Sequence, residues 1–136
     1  MKDYHIVYED NHLLIVNKRA GILVQGDSTG DVTLTDVLKD YIKEKYQKPG
    51  AVFLHPVHRL DRPVSGLVIF ARTSKALERM MEMFRKRDIQ KTYWAVTRLD
   101  DHGQRLHQGA QVEIGGNNRY QQVCARCFYG DEPAVA

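Results

Sequence analysis

Residues 58–66 read HRLDRPVSG. One carboxylate, Asp61, stands between two guanidinium groups, Arg59 and Arg62. Nearby positive charge favours the ionised form of a carboxylate. An ionised aspartate can act as a nucleophile or as a general base. Pro63 restricts the backbone directly after Arg62, and Gly66 permits a turn that side chains disfavour. The run that follows, Leu67 to Ala71, is continuously apolar, as expected of a buried strand. A loop that enters such a strand is a firm mount for a reactive group. The same residues also fit an Arg–Asp pair that merely ties a turn together. Taken alone they leave both readings open.

Other candidate chemistry is weaker. His55, His58, Cys124 and Cys127 form H-x-x-H and C-x-x-C pairs of the kind that ligate zinc. The cysteines lie far beyond the histidines in sequence, so no local spacing supports a shared site, and no metal is expected. HRLD also has the letters of a kinase catalytic loop, but the extra leucine, the missing asparagine and the lack of a Gly-rich phosphate loop exclude it. Tyr93, in KTYWAV, is open to two readings: a strand tyrosine packed in the core, or a site residue.

The elements that must position Asp61 can be read from periodicity. Tyr4 to Tyr8 and Leu13 to Val16 read as two strands joined by a turn at Glu9-Asp10-Asn11. Residues 18–30 are loop-like and contain Gly21, Gly26 and Gly30. Leu34, Val37, Leu38, Tyr41 and Ile42 predict a helix capped by Thr33, with Asp36 closing a capping box, and ending before Pro49-Gly50. Val52 to Leu54 reads as a strand that leads into the Asp61 loop. After Leu67 to Ala71, a second helix is capped by Thr73 or Ser74, with Leu77, Met80, Met81 and Phe84 as its apolar stripe. Such a methionine-rich stripe reads as core packing. Tyr93 to Val96 reads as a further strand. After Thr97 periodicity fades and glycine and polar residues dominate, leaving one short strand at Gln111 to Ile114.

A chain of 136 residues suits one domain, and 43% apolar with 27% charged residues is ordinary for a soluble protein. The start lacks a signal-peptide core, and no run approaches the ~18 apolar residues of a membrane span. A cytoplasmic protein without membrane contact is expected. The two cysteines need not form a disulfide framework. The net charge of +3 is modest. Arg59, Arg62, Arg72, Lys75, Arg79, Arg85, Lys86, Arg87 and Lys91 nevertheless fall in one segment. They form either a solvated face or a surface that follows phosphates.

HRLDRPVSGLVIFART closely resembles the signature of the RluA-type pseudouridine synthases. HLLIVNKRAGILVQ is similar to that family's N-terminal motif, in which Lys-Pro normally precedes a small residue and glycine; here Arg19 stands where the proline usually sits. QKTYWAV resembles the motif that carries an active-site tyrosine. The resemblance covers residues 4–97.

It implies an α+β domain: a mixed, largely antiparallel sheet flanked by helices, pseudouridine synthase-like and incomplete. Residues 1–97 would be the N-terminal part of the catalytic domain, and residues 98–136 an atypical, loosely ordered tail. The implied reaction isomerises uridine in RNA to pseudouridine, without a cofactor. Asp61 would act at ribose C1′ or as a base, and Tyr93 would lie against the base. Arg59 would fill the space vacated by the flipped nucleotide, with His58 and Arg62 beside it on the RNA. The implied partner is ribosomal or transfer RNA. The family's later motif, whose arginine or lysine pairs with the aspartate, is not found; GQRLHQGAQ at 103–111 echoes part of it too early in the chain. That departure supports an alternative, a truncated RNA-binding domain without catalysis. A sheet ending at Tyr93 would also expose an edge for self-association.

Overall fold

Alternating apolar residues at the start of the chain fold into a hairpin. The computed structural model describes residues 2 and 4–94 and the strand segments 111–114, 119–122, 127–129 and 132–134. Strand β1 (Tyr4–Glu9) pairs antiparallel with β2 (Leu13–Lys18). Asp10 shapes the connection: its Oδ1 accepts the backbone N–H groups of His12 and Leu13, both at 2.7 Å. The Tyr8 hydroxyl donates to Oδ2 at 2.7 Å. An aspartate that caps its own turn in this way is favoured when ionised.

The Leu13 amide, the Tyr8 hydroxyl and the His12 amide together pull the Asp10 carboxyl down to about 2. A folded value below the unfolded one stabilises the hairpin above about pH 4, and that contribution is lost as pH falls through about 2. A carbon-13 titration should therefore place the Asp10 midpoint near 2. A midpoint at the ordinary value of 3.8 would show that the turn bonds do not persist in solution.

In β2 the side chains of Leu14, Val16 and Lys18 are all buried. Strand β3 (His55–Pro56) and strand β4 (Gly66–Ala71) complete a sheet of order β1-β2-β4-β3, antiparallel throughout. The strand expected at Val52 to Leu54 forms further along, because its ladder partners are Phe70 and Ala71, the last two residues of β4.

Helix α1 (Leu34–Lys45) carries the expected capping box: Thr33 Oγ1 accepts from the Asp36 amide, and Asp36 accepts from the Thr33 amide. Its buried face, Leu34, Leu38 and Ile42, packs in one core with Leu14, Val16, Val68 and Phe70. Helix α2 (Ser74–Arg85), capped by Thr73, belongs to a second cluster with Val57, Ala71, Leu13 and Ile69. From Val68 to Ala71 the β4 run is apolar at every position because alternate residues join different clusters, whereas Leu67 is exposed. Leu77, Met80 and Phe84 pack as expected, whereas Met81 is 51% exposed.

The chain divides into two units, Met1–Asp88 and Ile89–Ala136. In the second, strand β5 (Tyr93–Trp94) begins a region of short ladders. Strand β6 (Gln111–Ile114) pairs antiparallel with β7 (Arg119–Gln122). Strand β8 (Cys127–Tyr129) runs parallel to β5 and antiparallel to β9 (Glu132–Ala134). The sequence reading found β6 but missed β7, β8 and β9. Segments of three or four residues are too short to show a period. The whole is α+β with mostly antiparallel pairing. Among the described residues no helix is long and apolar enough to cross a membrane.

Candidate active site

The loop from Val57 to Ser65 is pinned to β4 at several points. The Val57 amide donates to the Ile69 carbonyl at 2.8 Å. His58 Nε2 accepts the Ile69 amide at 3.1 Å, and the imidazole stacks on Phe84 with 5.4 Å between ring centroids. Because Nε2 accepts, the neutral ring carries its proton on Nδ1. Leu60 packs against the main core. Gly66 then turns the chain into β4 with φ of 144°, a conformation that side chains rarely adopt. Between these anchors Arg59 and Asp61 are exposed. The Asp61 carbonyl accepts the Val64 amide at 3.0 Å and closes a tight turn over Arg62-Pro63.

A buried lysine holds that turn from below. Lys18 is only 1% exposed. Its Nζ donates to the carbonyls of Arg19 at 3.0 Å, Ile22 at 2.9 Å and Arg62 at 3.2 Å. Three acceptors match the three protons of an ammonium; a neutral amine could donate only two of these bonds. The Arg62 carbonyl also accepts the Gly21 amide at 2.7 Å, and Gly21 has φ of 101°. The residue after Asp61 is thereby tied to both β2 and the loop that follows it. Burial pushes the Lys18 pKa down, and the Asp61 carboxylate opposes that shift.

Arg62 does not pair with Asp61 as the sequence left open. Its guanidinium reaches Asp31, at 2.6 Å. The basic segment is likewise partly engaged. Arg72 donates to the Asp10 carbonyl and lies over the Tyr46 ring, while Arg85 and Lys86 pair with Glu82 at 3.7 and 3.2 Å. Lys75 and Arg79 are exposed on α2. Tyr93 lies on β5 in the second unit, in register with Cys127. Cys124 and residues 103–110 fall outside the described residues. His58 Nε2 already accepts the Ile69 amide.

A family model described as RNA pseudouridylate synthase matches residues 12–128. The chain belongs to that family. It is 38% identical over 94 residues to ribosomal large subunit pseudouridine synthase C of Vibrio cholerae, covering 69% of this chain and 28% of that protein. It is also 38% identical over 96 residues to tRNA pseudouridine synthase C of the same organism, covering 68% and 36%. The solved structure of human RNA pseudouridylate synthase domain containing 4 superposes with a TM-score of 0.52 at 30% identity, covering 61% of this chain and 30% of that one. The chain therefore spans less than half the length of these curated relatives.

The synthase match runs past Thr97, where the resemblance read from the sequence ended. Within it, Lys18 belongs to the NKRAG stretch that the sequence reading quoted for another reason, the arginine in place of proline. The role of Lys18 itself was missed. The signal was available: positions 14, 16 and 18 alternate onto one face of β2, so the pattern puts an ammonium where a core residue belongs.

Proposed function

We propose that this chain carries the aspartate end of an RNA uridine isomerase. The observation that carries the reading is an exposed Asp61 on a turn whose next carbonyl is gripped by a buried ammonium and a glycine amide. Such a turn fixes the carboxylate without covering it. The substrate is a uridine in ribosomal or transfer RNA, the two classes named by the relatives. The bond from C1′ to N1 breaks, the base turns, a bond from C1′ to C5 forms, the C5 proton leaves and N1 takes up a proton. Ionised Asp61 either adds to C1′ or takes a sugar proton on a glycal route. Atoms only change places, so no redox or nucleotide cofactor is called for. Arg59, exposed beside Asp61, enters the space left by the flipped uridine. Tyr93 lies against the base, Arg62 completes the RNA-facing loop, and His58 anchors that loop to β4 through the Ile69 amide.

Tritium release from RNA containing 5-tritiated uridine tests this reading on the 136-residue chain. RNA binding without release would favour the alternative, a truncated RNA-binding domain. The reading places the protein in the cytoplasm, with its RNA. Among the described residues β5 is an edge strand of its three-stranded sheet, and a second copy of the chain would pair along that edge. Light scattering should show a concentration-dependent dimer. A monomer at all concentrations would remove that edge from consideration.

A further inference from the structure

Arg62 lies on the Asp61 loop, and its guanidinium is occupied from within the chain. Asp31 sits 2.6 Å from it, and both side chains remain substantially exposed, 40% for Arg62 and 54% for Asp31. The segment that carries Asp31 is built to hold it there. Asp27 Oδ1 accepts both the amide and the hydroxyl of Thr29, the Asp31 amide donates to Thr29 Oγ1 at 3.3 Å, and Gly30 between them has φ of 73°. The pair sits on the wall of a groove of about 430 Å³, lined also by Gly21, Ile22, Val32 and Val37. The same Arg62 residue uses its carbonyl to receive Lys18 and Gly21. One residue thus serves two ends: its backbone is fixed beneath the Asp61 turn, while its side chain is on loan to a carboxylate of another loop.

We infer that Asp31 is an internal competitor for the RNA backbone, holding the Arg62 guanidinium until a phosphate displaces it. This rests on the RNA-binding reading above. The exchange is feasible on magnitude. An exposed Arg–Asp pair is worth no more than about 1 kcal/mol, whereas a phosphate also gains from counterion release. A phosphate oxygen accepts from a guanidinium as a carboxylate oxygen does, so one anion can take the place of the other. The competitor raises the threshold for non-specific RNA, because a single weak phosphate contact must first break the pair. It selects for RNAs that already engage the loop at other points.

The test measures the affinity of the chain for an in vitro transcribed stem–loop RNA across a salt series. Asp31→Asn should tighten binding about two- to fivefold, the equivalent of one exposed ion pair. Its slope of log affinity against log salt should stay that of the wild type, because the same phosphate contact forms in both once Asp31 is displaced. Arg62→Ala should weaken binding and flatten the slope. The double variant should match Arg62→Ala, because the gain runs through Arg62. Unchanged or weaker binding by Asp31→Asn, with wild-type binding intact, would overturn the competitor role and leave the RNA-binding reading standing. A gain that survives in the double variant would also overturn it, as general repulsion by Asp31. No RNA binding by the wild-type chain, at low salt and with the fold confirmed by circular dichroism, would overturn both.

Discussion

Lys18→Met should slow uridine isomerisation about a hundredfold while leaving RNA affinity within about threefold. The split follows from where the lysine sits. At 1% exposure it cannot touch RNA, so any effect on binding must be indirect. Its three bonds join the end of β2 to Ile22 and to the carbonyl one residue past Asp61. Methionine fills a similar volume without donors. The Arg62 carbonyl keeps the Gly21 amide, but the Lys18 bonds to the Arg19 and Ile22 carbonyls are lost. A buried acceptor left unpaired costs about 1–3 kcal/mol, and relief from burying the charge offsets part of that. The expected net loss is about 2–4 kcal/mol of stability, read from denaturant midpoints. Lys18→Arg should not restore the rate, since a planar guanidinium cannot reproduce three converging bonds from one nitrogen. A Lys18→Met protein with wild-type kcat would show that the turn holds Asp61 without the ammonium.

Much of this arrangement was legible before any coordinates. The hairpin, both helices with their caps and the apolar β4 strand follow from period and capping chemistry, because local bonds decide them. Thr33 and Asp36 sit three residues apart and bond each other as that spacing requires. Partners distant in sequence were not legible. Nothing in HRLDRPVSG says that Arg62 turns to Asp31, a residue 31 positions earlier, instead of to its neighbour Asp61. Lys18 was hidden for a different reason: a lysine after an asparagine reads as the start of a loop, and only the strand's continued alternation reveals that it is buried. In the C-terminal segment the strands are too short to carry a pattern, and their pairing of β5 with β8 spans residues far apart in the chain.

Asp61→Asn carries the largest expected effect. Asparagine keeps the size and shape of the side chain and can accept a hydrogen bond, but it is neither a nucleophile toward C1′ nor a base. The backbone bonds of the turn, from Val64 to the Asp61 carbonyl and from Gly21 and Lys18 to the Arg62 carbonyl, involve no Asp61 side-chain atom and should persist. The rate should fall on the order of 10³-fold or more, the scale of a positioned acid–base or nucleophilic group. Loss of the carboxylate also removes the charge that supports the Lys18 ammonium, so the Lys18 pKa should move further down. RNA affinity should hold or rise slightly, because a negative charge has left an RNA-facing loop.

Single-turnover tritium release, with protein in excess over RNA labelled at uridine C5, brings these strands together. The wild-type protein should release tritium in proportion to pseudouridine formed, and Asp61→Asn, bound to the same RNA, should release none above background. Tritium release by Asp61→Asn at the wild-type rate would contradict the account at its centre, since the carboxylate held above Lys18 would then have no part in the chemistry.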